Sequence, residues 1–192
     1  MALSDVHVLV GVTGSVAAIR APHLVSALRE LGAEVRVIVS EAARVFLEKE
    51  RKLEGRVYSD DDEWKNWGKL GDPVLHIELR RWADLLIIAP LSANTLAKLA
   101  GGLCDNLLTC VSRAWRIGEG GAGPMIVAPA MNSEMWLHPV TAVQIRKVTE
   151  WGVTVIPPVE KKLACGDIGV GGMEAPELIA DVVVRIARDI KK

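Results

Sequence analysis

The sequence predicts an α/β fold in which one parallel sheet carries helices on both faces. Three observations lead there. Short apolar runs rich in β-branched residues alternate with stretches of helical spacing, and those runs are apolar throughout instead of alternating with polar residues. Half of the 192 residues are hydrophobic, and mean hydropathy is +0.25. Strands buried on both faces read as continuous apolar runs, and strands joined by helices cross over right-handed and lie parallel. The length suits one large domain.

The elements follow in order. Residues 6–12 are the first strand, which Thr13, Gly14 and Ser15 break before residues 16–31 take up helical spacing. Gly32 ends that helix, residues 35–39 form the next strand, and residues 41–50 a second helix with Ser40 as its cap. Residues 84–89 (DLLIIA) and 125–128 (MIVA) are further strands, each followed by proline and a helical stretch, and residues 153–156 give a short last strand. Two segments resist the scheme. Residues 58–72 carry Asp60, Asp61, Asp62 and Glu63 with Trp64 and Trp67, which predicts an exposed acidic loop with aromatic anchors. Residues 157–176 hold Cys165 among Gly166, Gly169, Gly171 and Gly172, which predicts a mobile flap or an irregular connection in place of a packed strand or helix. A glycine-rich stretch at 118–123 reads as a lengthened surface loop. The chain shows no internal repeat and no linker.

Composition excludes several classes of function. Lys and Arg number 23 against 24 Asp and Glu, for a formal charge of -1, so nothing electrostatic favours nucleic acid or an anionic membrane as partner. Cys104, Cys110 and Cys165 cannot all pair within the chain, which favours a reducing compartment. No apolar run approaches the roughly 20 residues that span a bilayer, and the first residues lack a signal peptide's pattern. A soluble, cytoplasmic protein is the expectation. No Cys or His spacing suggests a metal site.

Four constellations can carry chemistry. Gly14, Ser15 and Val16 follow the first strand where a helix begins, and free N–H groups at such a start attract an anion. The third glycine of the dinucleotide fingerprint is missing, Ser40 stands where a ribose-binding acid is wanted, and no Gly-Lys-Ser/Thr follows. A cofactor with one phosphate, such as FMN, therefore fits better than NAD or ATP, against the plain alternative of a turn that binds nothing. Ser92, Ala93, Asn94 and Thr95 follow the DLLIIA strand, at the strand end where open α/β sheets bind ligands. Helix capping explains one of these polar side chains but not all three. Asn132 and Met135 lie in PAMNSEMW after the MIVA strand, where an amide can meet a carboxylate beside an adaptable apolar wall, or Asn132 caps a helix and Met135 packs. His76 and Cys165 are the fourth: each alone reads as a structural residue, yet a thiol on a glycine-rich segment after Lys161 and Lys162 can reach a site as acid or nucleophile.

Together these residues resemble the homo-oligomeric flavin-containing cysteine decarboxylases. The matching motifs are Gly14 to Ala17, His76 within HIELRRWADLLIIAP, PLSANT, GGLCDNLL, PAMNSEMW and LACGDIGVGGM, which span nearly the whole chain. One departure is Gly172 before Met173, where many bacterial members place an arginine. The resemblance implies a Rossmann-like (flavodoxin-like) domain over residues 1–192, a substrate flap at 157–176, FMN as cofactor, and trimers with FMN between neighbouring subunits. It also implies the reaction. Loss of carbon dioxide from a C-terminal cysteine needs an electron sink, which the family provides by oxidising the substrate thiol to a thioaldehyde. The substrate implied is phosphopantothenoylcysteine, converted to phosphopantetheine in coenzyme A biosynthesis.

By the same resemblance His76 serves the oxidative half of the cycle, and Asn132, Met135, Ala164 and Met173 hold substrate. Gly14, Ser15, Val16, Ser40 and Ser92 to Thr95 hold FMN. Cys165 donates the last proton, and an unperturbed thiol pKa near ~8.5 keeps such a donor protonated at neutral pH. Relatives that stop at the enethiol, and relatives that bind and inhibit a protein phosphatase, are the alternative readings. Cys165 argues against the first.

Overall fold

The computed structural model describes residues 2–48, 53–65, 67–118, 123–163 and 166–190. Six strands form the main sheet: β1 (His7–Val12), β2 (Glu34–Val39), β3 (Arg56–Tyr58), β4 (Leu85–Leu91), β5 (Met125–Pro129) and β6 (Thr154–Val155). Their order is β3-β2-β1-β4-β5-β6 and every pairing is parallel. The helices are α1 (Ala21–Glu30), α2 (Glu41–Leu47), α3 (Leu75–Trp82), α4 (Ala93–Gly101), α5 (Leu107–Ala114), α6 (Ser133–Leu137), α7 (Pro139–Glu150) and α8 (Pro176–Ile190).

Side-chain alternation explains the layers. Val8, Val10 and Val12 of β1, with Val35, Val37, Leu85 and Ile87, bury against Leu24, Val25 and Leu28 of α1 and Ile179 and Val183 of α8. The intervening residues Leu9, Ile38, Leu86, Ile88 and Val127 bury against Leu79 of α3, Leu96 of α4, Leu108 and Val111 of α5 and Val148 of α7. Each central strand is thus apolar on both faces, which is the pattern the sequence shows and the reason it is legible. No helix among the described residues is long and apolar enough to cross a membrane.

The structure departs from expectation in three places. The helix expected at 16–31 is two pieces, a 3-10 turn over Val16–Arg20 followed by α1. Pro22 stands in the first turn of α1, where its missing N–H is not needed. The acidic segment is not a loop throughout, because β3 and a 3-10 turn (Asp60–Asp62) order it. Its tryptophans are not anchors. Trp64 and Trp67 are exposed, while Glu63 is buried with 5% of its surface accessible. The third correction concerns 157–176. In place of an irregular connection, β7 (Val159–Lys162) and β8 (Ile168–Gly172) pair as an antiparallel hairpin. The glycines are tolerated because β8 lies so close to the chain after β5 that side chains would not fit: a Cβ on Gly171, whose φ is 150°, would stand 2.2 Å from the Met131 carbonyl oxygen. Most of the loop expected at 118–123 lies outside the described residues.

Candidate active site

The chain moves outward from β1 through β2 to β3, then returns to place β4 on the other side of β1. Strand order reverses between β1 and β4, and ligands of such sheets bind in the crevice outside the carboxyl ends at that point. Here one buried side chain closes the two loops on each other. The Thr13 hydroxyl donates to the Pro90 carbonyl at 2.7 Å and accepts from the Ser92 N–H at 2.7 Å. The stitching continues sideways: Ser40 N–H donates to the Val12 carbonyl at 3.0 Å, and Ala130 N–H to the Leu91 carbonyl at 2.9 Å. The loops after β2, β1, β4 and β5 therefore stand side by side along one edge of the sheet.

Most of the residues expected to hold the cofactor line this edge. A Cβ on Gly14 would lie 2.6 Å from the Ala42 Cβ, so close packing on α2 alone requires glycine there. Ser15 caps the 3-10 turn, its Oγ accepting from the Ala17 N–H at 3.3 Å, and Val16 beside it is exposed. Ser92 caps α4, its Oγ accepting from the Thr95 N–H at 3.2 Å, with Ala93 and the exposed Asn94 completing the first turn. Ser40 differs from these. It precedes α2 without capping it, and its buried Oγ has no hydrogen-bond partner among the described residues. A buried hydroxyl left unpaired is costly, so Ser40 marks where a ligand's polar atom belongs. The start of α4 at the switch point adds N–H groups and the positive end of a helix dipole. This donor set fits FMN, whose one phosphate needs N–H and hydroxyl donors.

The residues expected to meet substrate lie after β5, on α6 and along the hairpin. Asn132 caps α6, its Oδ1 accepting from the Glu134 N–H at 2.8 Å, and half-exposed Met135 lies one residue further on. Met131 N–H donates to the Gly171 carbonyl at 2.9 Å, which docks β8 directly on this loop. The Lys161 ammonium donates to the Met173 carbonyl at 2.8 Å; burial first, and then the neighbouring Arg20, hold its pKa below the usual lysine range. Met173 does not present its side chain as expected. It is 1% exposed and packs with Ile179 and Val183, because the chain turns inward there to begin α8. Ala164 and Cys165 lie outside the described residues.

His76 sits in the first turn of α3, its side chain 21% exposed. Its Nδ1 meets Glu63 Oε1 at 2.5 Å. Glu63 lies beyond the carboxyl end of β3, and the neighbouring Asp60 accepts the Leu107 N–H at the start of α5 through Oδ1 at 3.1 Å. On α5, burial and then the Glu63 charge push the Cys110 thiol up to about 11. Sequence reasoning missed Glu63, because nothing separates it from Asp60, Asp61 and Asp62 before the loop folds back on α3. Among the described residues no three His, Cys, Asp or Glu side chains are grouped to hold a metal.

A doubly wound sheet with donors gathered at its switch point, a docked hairpin over one flank and a carboxylate-paired histidine defines a small-ligand flavoprotein class of site. The chain belongs to the flavoprotein family, whose description matches residues 2–188. It is 54% identical over 178 residues to a phosphopantothenoylcysteine decarboxylase of Arabidopsis thaliana, covering 92% of this chain and 83% of that one. Among solved structures it resembles a cysteine-to-serine mutant of PPC decarboxylase complexed with pantothenoylaminoethenethiol, with TM-score 0.88, 50% identity, and 96% and 98% of the two chains covered. It also resembles the FMN binding protein AtHal3, with TM-score 0.87, 51% identity and the same coverage.

Proposed function

We propose that this chain decarboxylates 4'-phosphopantothenoylcysteine to 4'-phosphopantetheine with FMN. The observation that carries the reading is the edge of the sheet itself: an unpaired buried hydroxyl at Ser40 and the capped start of α4 lie along the same row of loops as Asn132, which the hairpin covers. The similarity to phosphopantothenoylcysteine decarboxylases over nine-tenths of the chain supports the substrate.

Gly14, Ser15, Val16, Ser40 and residues Ser92 to Thr95 would hold the cofactor, which when bound takes two electrons from the substrate's cysteine and later returns them. Asn132 orients the substrate carboxylate toward loss, with Met135 as an apolar wall. His76 accepts a proton in the oxidative half of the cycle. Residues 157–176 form the substrate flap, with Ala164 and the Met173 backbone against substrate and Cys165 giving the last proton. The protein assembles as a trimer in the cytoplasm. Exposed apolar side chains beside Met135, on α6, α7 and β8, are what a neighbouring subunit would cover. Incubation of the yellow, FMN-loaded protein with phosphopantothenoylcysteine without oxygen should yield carbon dioxide and phosphopantetheine by mass analysis. Unchanged substrate would overturn the reading.

A further inference from the structure

We propose that Glu63 is the positioning residue for His76, fixing its proton on Nδ1 and leaving Nε2 as the only proton-accepting atom of the ring. The proposal rests on the reading of His76 given above and adds a residue to it. Three observations carry it. Glu63 is 5% exposed although it ends a run of four acidic residues whose other members retain solvent contact. Its Oε1 meets His76 Nδ1 at 2.5 Å, while its Oε2 is buried with no hydrogen-bond partner among the described residues. Burying a carboxylate around a single bond is unfavourable, and a solvated aspartate or glutamine at this position would avoid the cost.

The simpler explanation is that Glu63 only ties its loop to α3. The loop is already tied without it. Asp60 accepts the Leu107 N–H of α5, and Asp62 accepts both the N–H and the hydroxyl of Ser59. What Glu63 alone supplies is a charge against one imidazole nitrogen. A carboxylate on Nδ1–H selects the tautomer, orients the ring and stabilises the imidazolium that forms when Nε2 takes a proton. Glu63 also faces α5, where its charge, with those of Asp105 and Asp60, bears on the Cys110 thiol.

The test uses FMN-loaded full-length protein and two variants, Glu63→Gln and Glu63→Asp, with His76→Asn as reference. Nitrogen NMR of the His76 ring reads tautomer and titration midpoint, and anaerobic turnover reads function. In the unaltered protein the proton resides on Nδ1. Glu63→Gln should lower the His76 midpoint by roughly one pH unit. It should also cut turnover at saturating substrate by roughly 10- to 100-fold with KM little changed, the range lost with orienting carboxylates at metal-bound histidines. Glu63→Asp, which keeps the charge, should recover part of both. An unmoved midpoint and tautomer in Glu63→Gln overturn the proposal whatever happens to turnover. So does full turnover of Glu63→Gln beside an inactive His76→Asn, which leaves the reading of His76 standing. If the unaltered protein shows no turnover, that reading fails, while the NMR midpoints still decide between Glu63 as positioning residue and as loop tie. If Glu63→Gln fails to retain FMN, the tautomer of the His76 ring in Glu63→Asp decides: a proton held on Nδ1, as in the unaltered protein, supports the proposal and a proton on Nε2 overturns it.

Discussion

On the proposed reading, Asn132 serves fold and chemistry with different atoms. Its Oδ1 caps α6 by accepting from Glu134 N–H, a task aspartate performs equally well. Asn132→Asp should therefore fold and stay yellow, yet set a negative charge against the substrate carboxylate. Like-charge opposition of several kcal/mol corresponds to a loss of about 100-fold or more in turnover, measured as anaerobic carbon dioxide release. Normal turnover would remove Asn132 from the carboxylate. Thr13 is the complementary case, a residue whose role is internal. Thr13→Val leaves the Pro90 carbonyl and Ser92 N–H without the hydroxyl between them, at about 2 kcal/mol in total. A melting temperature lower by about 4–8 °C is expected, with weaker FMN retention, since the side-chain tie between the two ligand loops is lost and the Thr13 N–H to Pro90 carbonyl bond remains. Neither Thr13 nor Glu63 was legible as a site residue in the sequence. Their significance lies in what reaches them from 77 and 13 residues away, and no local pattern encodes that.

Among elements, the central strands were the most legible, because residues such as Leu9 and Val10 both bury, on opposite faces, and leave an unbroken apolar run. The β7–β8 hairpin was the least legible. Glycine content normally argues against strands, and here the reason for glycine is tertiary: Gly169 and Gly171 lie where Ser133 and Met131 leave no space for a Cβ. Such contact distances have no sequence signature. The hairpin flanks the segment that carries Cys165, which gives the sharpest chemical prediction at this scale. If the thiol donates the final proton, Cys165→Ser should still oxidise and decarboxylate substrate and then stall, because a hydroxyl is a far weaker acid. The flavin should stay reduced without oxygen, and the trapped product should be about two mass units lighter than phosphopantetheine, the mass of a withheld hydride and proton. Fully reduced product at a near-normal rate would assign the donor to another residue between Lys161 and Met173 or to water.

At the scale of the whole molecule, the apolar surface next to the site calls for a partner. Leu137 at the end of α6 is 71% exposed and Ile168 on β8 is 77% exposed, with Val140 and Val143 exposed one turn apart on α7. α6 packs against both α7 and β8, so these exposed side chains stand on neighbouring elements together with Met135. Leaving them in water forfeits burial at roughly 25 cal/mol per Å², and a second copy that covers them would close the flank where Asn132 is proposed to hold substrate. The trimer proposed above would use that placement to let each subunit complete its neighbour's site. Sedimentation should give the mass of three chains for the unaltered protein. Leu137→Asp combined with Val143→Asp places charges in the covered area without touching any residue of the sheet edge, so each chain should fold, sediment as a monomer and lose FMN and turnover together. Two outcomes would sink the assignment: the double variant sedimenting as three chains, or an unaltered monomer that turns over substrate at its full rate.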